Sequence, residues 1–331
     1  MGFWQGKRVL VTGAGGFIGS HVTEALVRAG AKVRAMVHYN SRNHWGQIEF
    51  LDAAVREALI VMSGDVRDPF FCREAVRDQE VVMHLAALIA IPYSYIAPAA
   101  YVQTNIVGAL NILQACRDLG VEKLVHTSSS ETYGTAQYVP IDEKHPLQGQ
   151  SPYAASKIGA DKIAESFHLS FNAPVAIIRP FNTYGPRQSA RAIVPTIISQ
   201  LAAGERRIRL GSLEPVRDLN YVKDTAAGFL AVAETPATVG QVVNVGTGKG
   251  ISIGDLASLI MDVMGAEAEI VSDAERVRPD KSEVMRLVCQ ADKMRQLTGW
   301  QPATSLRDGL QKTVEYIREH LDLYKPGIYN V

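Results

Sequence analysis

The chain has 331 residues, enough for one large domain or two modest ones, and a chain of this length buries its core without covalent staples. Apolar residues make up 47% and charged residues 21%, which excludes a disordered chain, collagen and a coiled coil. The 34 basic and 34 acidic side chains balance, so no basic field holds a nucleic-acid backbone or an acidic membrane.

The cysteines and histidines predict neither a disulfide framework nor a metal site. Cys72, Cys116 and Cys289 are odd in number and form no C-x-x-C pair, which suits the reducing cytoplasm. The eight histidines show no H-x-x-H or H-x-x-x-H spacing. The uncharged stretch 81–116 contains prolines and polar residues, so a buried strand followed by a loop explains it better than a membrane span. We expect a soluble, cytoplasmic protein.

The first half of the chain alternates between two hydrophobic periods. Short β-branched runs predict buried strands, and apolar residues at helical spacing predict helices between them. This alternation is typical of a parallel sheet covered on both faces, so we predict a doubly wound α/β fold over roughly the first 180 residues. The predicted strands are 7–12, 32–37, 59–63, 81–85, 123–127 and 175–178, and the predicted helices are 17–29, 101–119 and 153–171.

The second half is less regular, because proline, glycine and arginine interrupt residues 180–191. The predicted elements are helices at 193–203, 253–264 and 306–320 and strands at 207–210 and 241–245, the last returning to the first sheet. No linker separates the halves, so we expect the second to pack on the first and close a cleft. The predicted domains are 1–180 with a returning segment at about 219–248, and a smaller α/β region made of 181–218 and 249–331.

A glycine pattern at the first strand–helix junction predicts dinucleotide binding. The run TGAGGFIG at 12–19 has the spacing TGxxGxxG. Gly13, Gly16 and Gly19 permit the tight turn, close approach of a pyrophosphate and close helix–sheet packing. Unpaired N–H groups and the helix dipole favour a phosphate at this helix N-terminus.

The end of the second strand bears on which dinucleotide binds. An Asp or Glu there bonds the ribose 2′-hydroxyl of NAD, and the run VHYNSR at 37–42 has neither. Both NADP and NAD therefore stay open. Asp65, just past the third strand, is placed to accept from the adenine amino group. The groups that can meet a 2′-phosphate are Arg34, His38 and Arg42, and those that can bond a free hydroxyl are Asn40 and Ser41.

Tyr153 and Lys157 share one face of the predicted helix 153–171, because residues four apart are neighbours on a helix. The pKa of a tyrosine side chain is about 10, so the phenol needs a nearby cation to act as a base at neutral pH. Lys157 supplies that charge and can also hold the nicotinamide ribose. The pair predicts a redox site beside the dinucleotide.

With these motifs together, the chain resembles the extended short-chain dehydrogenase/reductases of the nucleotide-sugar epimerase/dehydratase family. The resemblance implies a Rossmann-type domain, a nucleotide-sugar-binding region, and NADP or NAD that stays tightly bound and is regenerated in each turnover. Besides the glycine loop, it is carried by GDVRD (64–68), HLAA (84–87), NIVG (105–108), SSSETYG (128–134), YAASK (153–157), PFNTYGPR (180–187) and LTGWQP (297–302).

The resemblance also assigns binding residues. The guanidinium group of arginine can form two hydrogen bonds with a substrate diphosphate. His84 and His126 are expected to be structural. The expected cofactor-binding residues are Gly13, Gly16, Phe17, Ile18, Gly19, His38, Ser41, Arg42, Asp65, Val66, Leu85, Ala86, Ala87, Asn105, Tyr153 and Lys157. The expected substrate-binding residues are Asn182, Arg187, Val194, Arg217, Arg278 and Asp280.

The run SSSETYG bears on the reaction. The resemblance assigns Ser129 the hydroxyl that bonds the sugar O4 and relays its proton to Tyr153. Glu131 is a carboxylate that can remove the C5 proton, which a new 4-ketone makes acidic. Ser130 stands where well-known dehydratases carry an Asp, so Glu131 is expected to protonate the departing C6 hydroxyl as well. The expected catalytic residues are Ser129, Ser130, Glu131, Tyr153 and Lys157.

These residues favour a nucleotide-sugar 4,6-dehydratase, a lyase. The runs GTAQY (134–138), PLQGQSP (146–152) and RQSAR (187–191) are similar to dehydratases of nucleotide-linked N-acetylglucosamine, which feed legionaminic or pseudaminic acid, with UDP favoured. A 4-epimerase needs Ser129 but not Glu131 and stays open. A decarboxylase needs a further cation, which the sequence does not identify. A non-catalytic NAD(P) sensor is disfavoured, because Tyr153 and Lys157 are both present.

The resemblance further implies a homodimer. Extended relatives pack two helices from each subunit into a four-helix bundle, and here these helices are about 101–119 and 153–171. The first is rich in Ala, Val, Ile and Leu over much of its surface, which fits burial on more than one side.

Overall fold

The computed structural model describes residues 2–277 and 279–328. The strands, numbered in chain order, are β1 (Arg8–Thr12), β2 (Lys32–His38), β3 (Ile60–Gly64), β4 (Val81–His84), β5 (Lys123–Thr127), β6 (Val175–Pro180), β7 (Asn182–Tyr184), β8 (Arg207–Leu210), β9 (Val216–Tyr221), β10 (Val242–Val245), β11 (Gly250–Ser252), β12 (Glu269–Ser272) and β13 (Arg286–Leu287). The helices are α1 (Phe17–Arg28), α2 (Ala53–Glu57), α3 (Pro69–Val76), α4 (Ile91–Ile96), α5 (Pro98–Tyr101), α6 (Gly108–Leu119), α7 (Pro152–Phe171), α8 (Ile193–Ala202), α9 (Val222–Glu234), α10 (Ile253–Met264), α11 (Asp292–Thr298) and α12 (Leu306–Glu319).

Seven strands form one parallel sheet in the order β10-β6-β5-β4-β1-β2-β3. Strands β4 and β6 are buried along their whole length, as expected where helices cover both faces. The predicted doubly wound, Rossmann-type fold is therefore confirmed. The strand order reverses between β1 and β4, and in such sheets ligands bind at the carboxyl ends of the strands beside that reversal. The topology thus points to one edge of the sheet as the place for a ligand.

Alternate residues of β1 enter the two cores on either side of the sheet. Val9 and Val11 pack in the core that contains α1 and α9. Leu10 packs in the opposite core, which contains α3, α6 and α7. Because successive side chains of a strand point to opposite faces, one short apolar run stabilises both layers of helices.

The chain after β6 builds a smaller region beside the sheet. Strands β11, β9 and β13 pair in that order, and β12 pairs with β8. Strand β7 pairs with the later residues of β9, from Leu219 to Tyr221. Helices α8, α10 and α12 share a third core with β8 and β9. Val242 of β10 pairs with Ile177 of β6, so the predicted strand that returns to the first sheet is confirmed. The exact domain boundaries stay predictions.

The sequence did not predict β7, β9 or α9. Strand β9 reads VRDLNY. An apolar pattern does not predict this strand, because its polar and charged side chains are buried. Asp218 of β9 accepts hydrogen bonds from the backbone N–H groups of Thr247 and Gly248, which compensates its burial. The predicted helix 101–119 is divided, since a π-helical turn at Val102–Val107 separates α5 from α6. Among the described residues, no helix has both the length and the apolar character needed to span a membrane.

Replacing Gly19 with alanine should destabilise the protein, because a Cβ there would lie 2.1 Å from the carbonyl oxygen of Gly13. Backbone cannot withdraw from such a contact at low cost, so we expect unfolding to become easier by about 1–3 kcal/mol in a denaturant titration. Gly254→Ala on α10 is the control. Its Cβ would meet nothing closer than 3.6 Å, and stability should hold or rise slightly. Equal stability of Gly19→Ala and wild type would contradict this packing.

Candidate active site

A cleft of about 1130 Å³ opens at the carboxyl ends of the sheet strands and extends under the smaller region. Its walls include the glycine loop, the loops after β2, β3 and β4, the turn after β5 and the start of α7. On the opposite side it is lined by the segment between β7 and α8, by β9 and by residues 275–283 in part. The cleft therefore lies at the reversal of strand order.

The glycine loop forms one end of this cleft. Gly13 adopts a positive φ of 69°, and α1 begins after Gly16 with no side chain bonded to its first N–H groups. The open N-terminus of α1 fits a pyrophosphate, because unpaired N–H groups and the helix dipole attract an anion. Thr12 supports the neighbouring loop, as its Oγ1 accepts from the N–H groups of Leu85 and Ala86, each at 3.1 Å. The predicted residues that line this end are Gly13, Gly16, Phe17, Ile18, Gly19, Leu85, Ala86 and Ala87.

The loops after β2 and β3 line the cleft beyond the glycine loop, through His38, Asp65 and Val66 among others. Arg67, which the sequence analysis did not assign, donates to both carboxylate oxygens of Asp65, at 3.0 Å from Nε and 2.5 Å from Nη2. The hydrogen bond from Arg67 lowers the pKa of Asp65, and burial opposes this effect. Asp65 is therefore a paired anion at this end of the cleft.

Of the five groups predicted to meet the cofactor ribose, His38 and Asn40 line the cleft, and the other three do not. Ser41 and Arg42 lie on an exposed loop and do not line the cleft. Asn40 stabilises that loop, since its Oδ1 accepts from the N–H groups of Arg42 and His44. Arg34 points to the end of α3, where its Nη1 donates to the carbonyl of Ala75 at 2.8 Å.

The predicted contact of Asn105 with the cofactor is also corrected, because Asn105 is buried and does not line the cleft. Its Oδ1 accepts from the N–H of Leu88 at 2.8 Å, and its Nδ2 donates to Leu88 O and to Ser156 Oγ. Asn105 lies on the π-helical turn and joins the loop after β4 to α7. Its role is to hold that wall of the cleft.

The five predicted catalytic residues come together in the middle of the cleft. Ser129 follows β5 and caps a short 3₁₀ turn, Ser130–Tyr133, with its Oγ accepting from the N–H of Glu131 at 3.3 Å. Ser151 caps α7 by accepting from the N–H of Ala154, which places Tyr153 in the first turn. The geometry brings these residues together, while the chemical role of each stays a prediction.

Burial shifts the pKa values of Tyr153 and Lys157 in opposite directions. It raises the pKa of Tyr153 well above its usual value, while a hydrogen bond with Ser129 lowers it and the charge of Glu131 raises it. It lowers the pKa of Lys157 to about 8, against which Asp161 acts. Lys157 Nζ donates to the carbonyl oxygen of Thr127, so the ammonium is held against the end of β5.

The predicted substrate contacts are divided between the cleft and other places. Asn182, Val194 and Arg217 line the cleft, and Arg217 Nη2 lies 3.0 Å from Glu283 Oε1. Arg278 lies outside the described residues, and for Asp280 only the backbone is described, in the 3₁₀ turn Asp280–Ser282. Cleft residues that the sequence analysis did not assign are Tyr95, Gln188, Ser189, Arg191, Arg276 and Glu283. Of these, Gln188, Ser189 and Arg191 stand in the RQSAR run, which was the available signal.

Arg187 is not a cleft residue, which corrects the expectation that it binds the diphosphate. It is buried with a positive φ of 69°, and its Nη2 lies 2.7 Å from Oε2 of Glu24 on α1. The ion pair fastens the segment after β7 to α1. Other residues of the motif PFNTYGPR line the cleft, but the side chain of its last residue, Arg187, points toward α1 instead.

Known proteins share this architecture. A family model described as GDP-mannose 4,6 dehydratase matches residues 10–313. The dTDP-glucose 4,6-dehydratase of Streptomyces griseus is 32% identical over 321 residues, covering 96% of each chain. The UDP-glucose 4-epimerase of Mycolicibacterium smegmatis is 34% identical over 317 residues, covering 94% of this chain and 98% of that one. The dTDP-glucose 4,6-dehydratase DesIV from Streptomyces venezuelae, solved with NAD bound, has a TM-score of 0.86 at 28% identity, covering 96% and 99%.

The chain belongs to the extended short-chain dehydrogenase/reductase family of nucleotide-sugar dehydratases and epimerases, which are NAD(P)-dependent enzymes. The resemblance predicted from the motifs is therefore confirmed. Dehydratases and epimerases both occur among the relatives. The choice between the two reactions has to be argued from the site.

Substitutions of Arg187 and Arg217 should have different effects. Arg187→Met removes one of the two arginine partners of the half-buried Glu24 and a hydrogen bond to His21, so unfolding should become easier by about 1–3 kcal/mol. Binding of UDP or GDP, measured by calorimetry, should not change. Arg217→Met removes a cleft cation, and the better-bound nucleotide should lose about tenfold in affinity. Weaker nucleotide binding by Arg187→Met at unchanged stability would contradict the corrected assignment.

Proposed function

We propose that this protein is an NAD(P)-dependent nucleotide-sugar 4,6-dehydratase. Its proposed substrate is an N-acetylglucosamine nucleotide, with UDP favoured, and its product is the 4-keto-6-deoxy sugar. The observation that carries the proposal is a carboxylate beside the redox pair, since Glu131 lines the same part of the cleft as Ser129 and Tyr153. Glu131 stands in the 3₁₀ turn that Ser129 caps, and its charge raises the pKa of Tyr153, in addition to the larger effect of burial.

The residues present fit NAD or NADP. The open N-terminus of α1 suits the pyrophosphate, and no carboxylate ends β2 to select the free 2′-hydroxyl of NAD. When bound, NAD(P) accepts a hydride from C4 of the sugar and returns it to C6. Lys157 and Tyr153, in the middle of the cleft, would hold the nicotinamide ribose.

Tyr153 is the proposed base for the first step. Burial opposes loss of its own proton, and the ammonium of Lys157 one turn away favours the phenolate. Ser129 bonds the sugar O4, passes the O4 proton to the Tyr153 phenolate, and the C4–O4 bond becomes a carbonyl. Ser129 and Tyr153 line the same cleft, and Ser129 lowers the pKa of Tyr153, which supports this relay.

Glu131 is the proposed base and acid for loss of water. The 4-ketone acidifies the C5 proton, which Glu131 takes as a double bond forms between C5 and C6. Glu131 then gives the proton to the departing C6 hydroxyl, and one water leaves. Ser130 is almost fully buried beside it and lacks the acidity to protonate a leaving group. Solvent then supplies a proton to C5 and Tyr153 releases the O4 proton to solvent, so that, once a hydride has been returned to C6, the substrate has lost one water in total.

A decarboxylase is a second candidate, because the cleft contains a cation that the sequence analysis did not identify. Arg191 lines the cleft and donates to Ser189 Oγ at 3.1 Å. Burial raises the pKa of Tyr101 to about 12, and the charge of Arg191 acts against this rise. The Tyr101 ring lies 6.2 Å from the Tyr153 ring. Arg191 is therefore the cleft cation that we assign to a C6 carboxylate in this second candidate.

A homodimer in the cytoplasm is part of the proposal. Val102 on the π-helical turn and Leu110 on α6 are exposed, although both are apolar. They lie on the helices that form the bundle in extended relatives. Burial of these side chains by a second copy would remove them from water.

The reaction is tested by mass spectrometry of nucleotide sugars incubated with the purified protein and no added cofactor. The substrates are UDP-GlcNAc, GDP-GlcNAc and the corresponding glucose nucleotides. We expect one of them to lose one water, which also shows that the cofactor co-purifies. Unchanged mass with inverted C4 indicates an epimerase, and loss of carbon dioxide from UDP-glucuronate, added as a fifth substrate, indicates a decarboxylase.

Glu131→Gln should lower the rate of dehydration by about 100-fold or more, because the amide can neither take the C5 proton nor protonate the leaving hydroxyl. The matched control is Glu267→Gln, an exposed residue before β12, which should keep the wild-type rate. The same mass spectrometric assay measures both variants. Full dehydration by Glu131→Gln would refute the proposed assignment of Glu131.

A further inference from the structure

Buried charged and polar side chains lie behind the cleft, where α7 crosses the ends of β5 and β6. Asp161 of α7 is 3% exposed, and its Oδ2 accepts from Ser128 Oγ at 2.5 Å and from Arg179 Nη2 at 2.8 Å. Arg179 of β6 also donates from Nε to Ser128 Oγ at 3.1 Å. His126 Nε2 lies 3.3 Å from the other carboxylate oxygen. None of these groups takes part in the chemistry proposed above.

The Asp161 carboxylate is connected to both halves of the catalytic site. Asp161 stands four residues after Lys157, so the two side chains are neighbours on one face of α7. Its hydrogen-bond partner Ser128 directly precedes Ser129 at the end of β5. One carboxylate therefore joins the helix that carries the redox pair to the strand end that carries the relay hydroxyl.

Arg179 holds this carboxylate from the other side and extends the connection to the turn after β5. Its guanidinium lies 4.6 Å from the centre of the Tyr133 ring, at the end of the 3₁₀ turn that includes Glu131. Tyr133 is fixed in turn, because its hydroxyl donates to Asn244 Oδ1 at 2.7 Å. The position of Asp161 is thus determined by several elements of the fold.

Among the described residues, Asp161 is the carboxylate whose charge acts on Lys157. Burial disfavours the Asp161 carboxylate, yet its contacts with His126, Arg179 and Ser128 hold its pKa well below its usual range. Burial lowers the pKa of His84 and His126, so neither adds a positive charge at neutral pH. Lys157's own helix also carries Tyr153, Asp161, Lys162, Glu165 and His168. The titratable and charged groups on the neighbouring elements are His84, Tyr93, Tyr95, Tyr101, Arg117, Asp118, Lys123, His126, Glu131, Tyr133 and Arg179.

We propose that Asp161 is a positioning residue, whose carboxylate keeps the buried Lys157 side chain charged and fixes Ser128, and through it Ser129, beside the phenol of Tyr153. Arg179 keeps the carboxylate in place. The inference rests on the proposed function of Tyr153 and Lys157 and deepens it.

The test measures the titration of Lys157 directly, by NMR of full-length protein labelled with ¹³C at lysine Cε and assigned with Lys157→Met. Asp161→Asn keeps the shape of the side chain but removes its charge and leaves Arg179 unpaired. We expect the Lys157 midpoint to fall by about one pH unit or more. Because the cation is then lost at lower pH, the alkaline limb of kcat for dehydration should move down by the same amount.

Two further variants separate charge from hydrogen bonding. Ser128→Ala removes a hydrogen bond to Asp161 but no charge, so the Lys157 midpoint should stay in place. Arg179→Gln leaves the Asp161 charge without its partner, so the midpoint should rise, and this variant decides the matter if Asp161→Asn does not fold. An unchanged midpoint in Asp161→Asn, or a lowered one in Arg179→Gln, would overturn the proposal. The NMR titration needs no turnover, so a failed dehydration assay would count against the proposed function alone.

Discussion

A buried tyrosine can act as a base only while a cation beside it stays charged, and this constraint shapes the centre of the molecule. Burial makes the Tyr153 phenolate and the Lys157 ammonium both harder to form. The helix places the two groups one turn apart, so that each charge favours the other. Asp161, one turn further, adds the negative charge that the lysine needs before the tyrosine loses its proton.

The parallel sheet makes this arrangement possible, since it brings the carboxyl ends of distant strands to one edge. The end of β1 supplies the glycine loop, the end of β5 supplies Ser129 and Glu131, and β6 supplies Arg179. Helix α7 then crosses this edge with Tyr153 in its first turn. Groups far apart in the chain thus meet without any long loop having to be ordered around them.

The sequence predicted what depends on local patterns. Strands such as β4 and β5 are short and largely apolar, so their places were clear. The glycine loop and the Tyr153–Lys157 pair were recognised from their spacing along the chain. The local geometry of these features follows from the sequence alone. A strand that leads into a helix fixes the position of the glycine loop, and an interval of four residues on a helix places two side chains on one face. The family and the centre of the site followed from them.

What the sequence did not predict depends on contacts between distant segments. Arg187 ends a recognised motif, yet the nearby Glu24 of α1 draws it away from the cleft. Asn105 lies in another motif and holds a loop, because Leu88 and Ser156 take all its hydrogen bonds. The sequence did not predict strand β9, because the partners of its buried polar residues come close to them only in the folded chain.

Following the hydrogen at C4 of the sugar tests most directly whether one site oxidises C4 and also removes water. A nucleotide sugar carrying deuterium at C4 is incubated with the protein, and the product is analysed by NMR and mass spectrometry. If Tyr153 and Glu131 act as proposed, the deuterium appears in the C6 methyl group of a product that has lost one water. Deuterium that remains at C4 of a product with unchanged mass would contradict the proposal and indicate an epimerase.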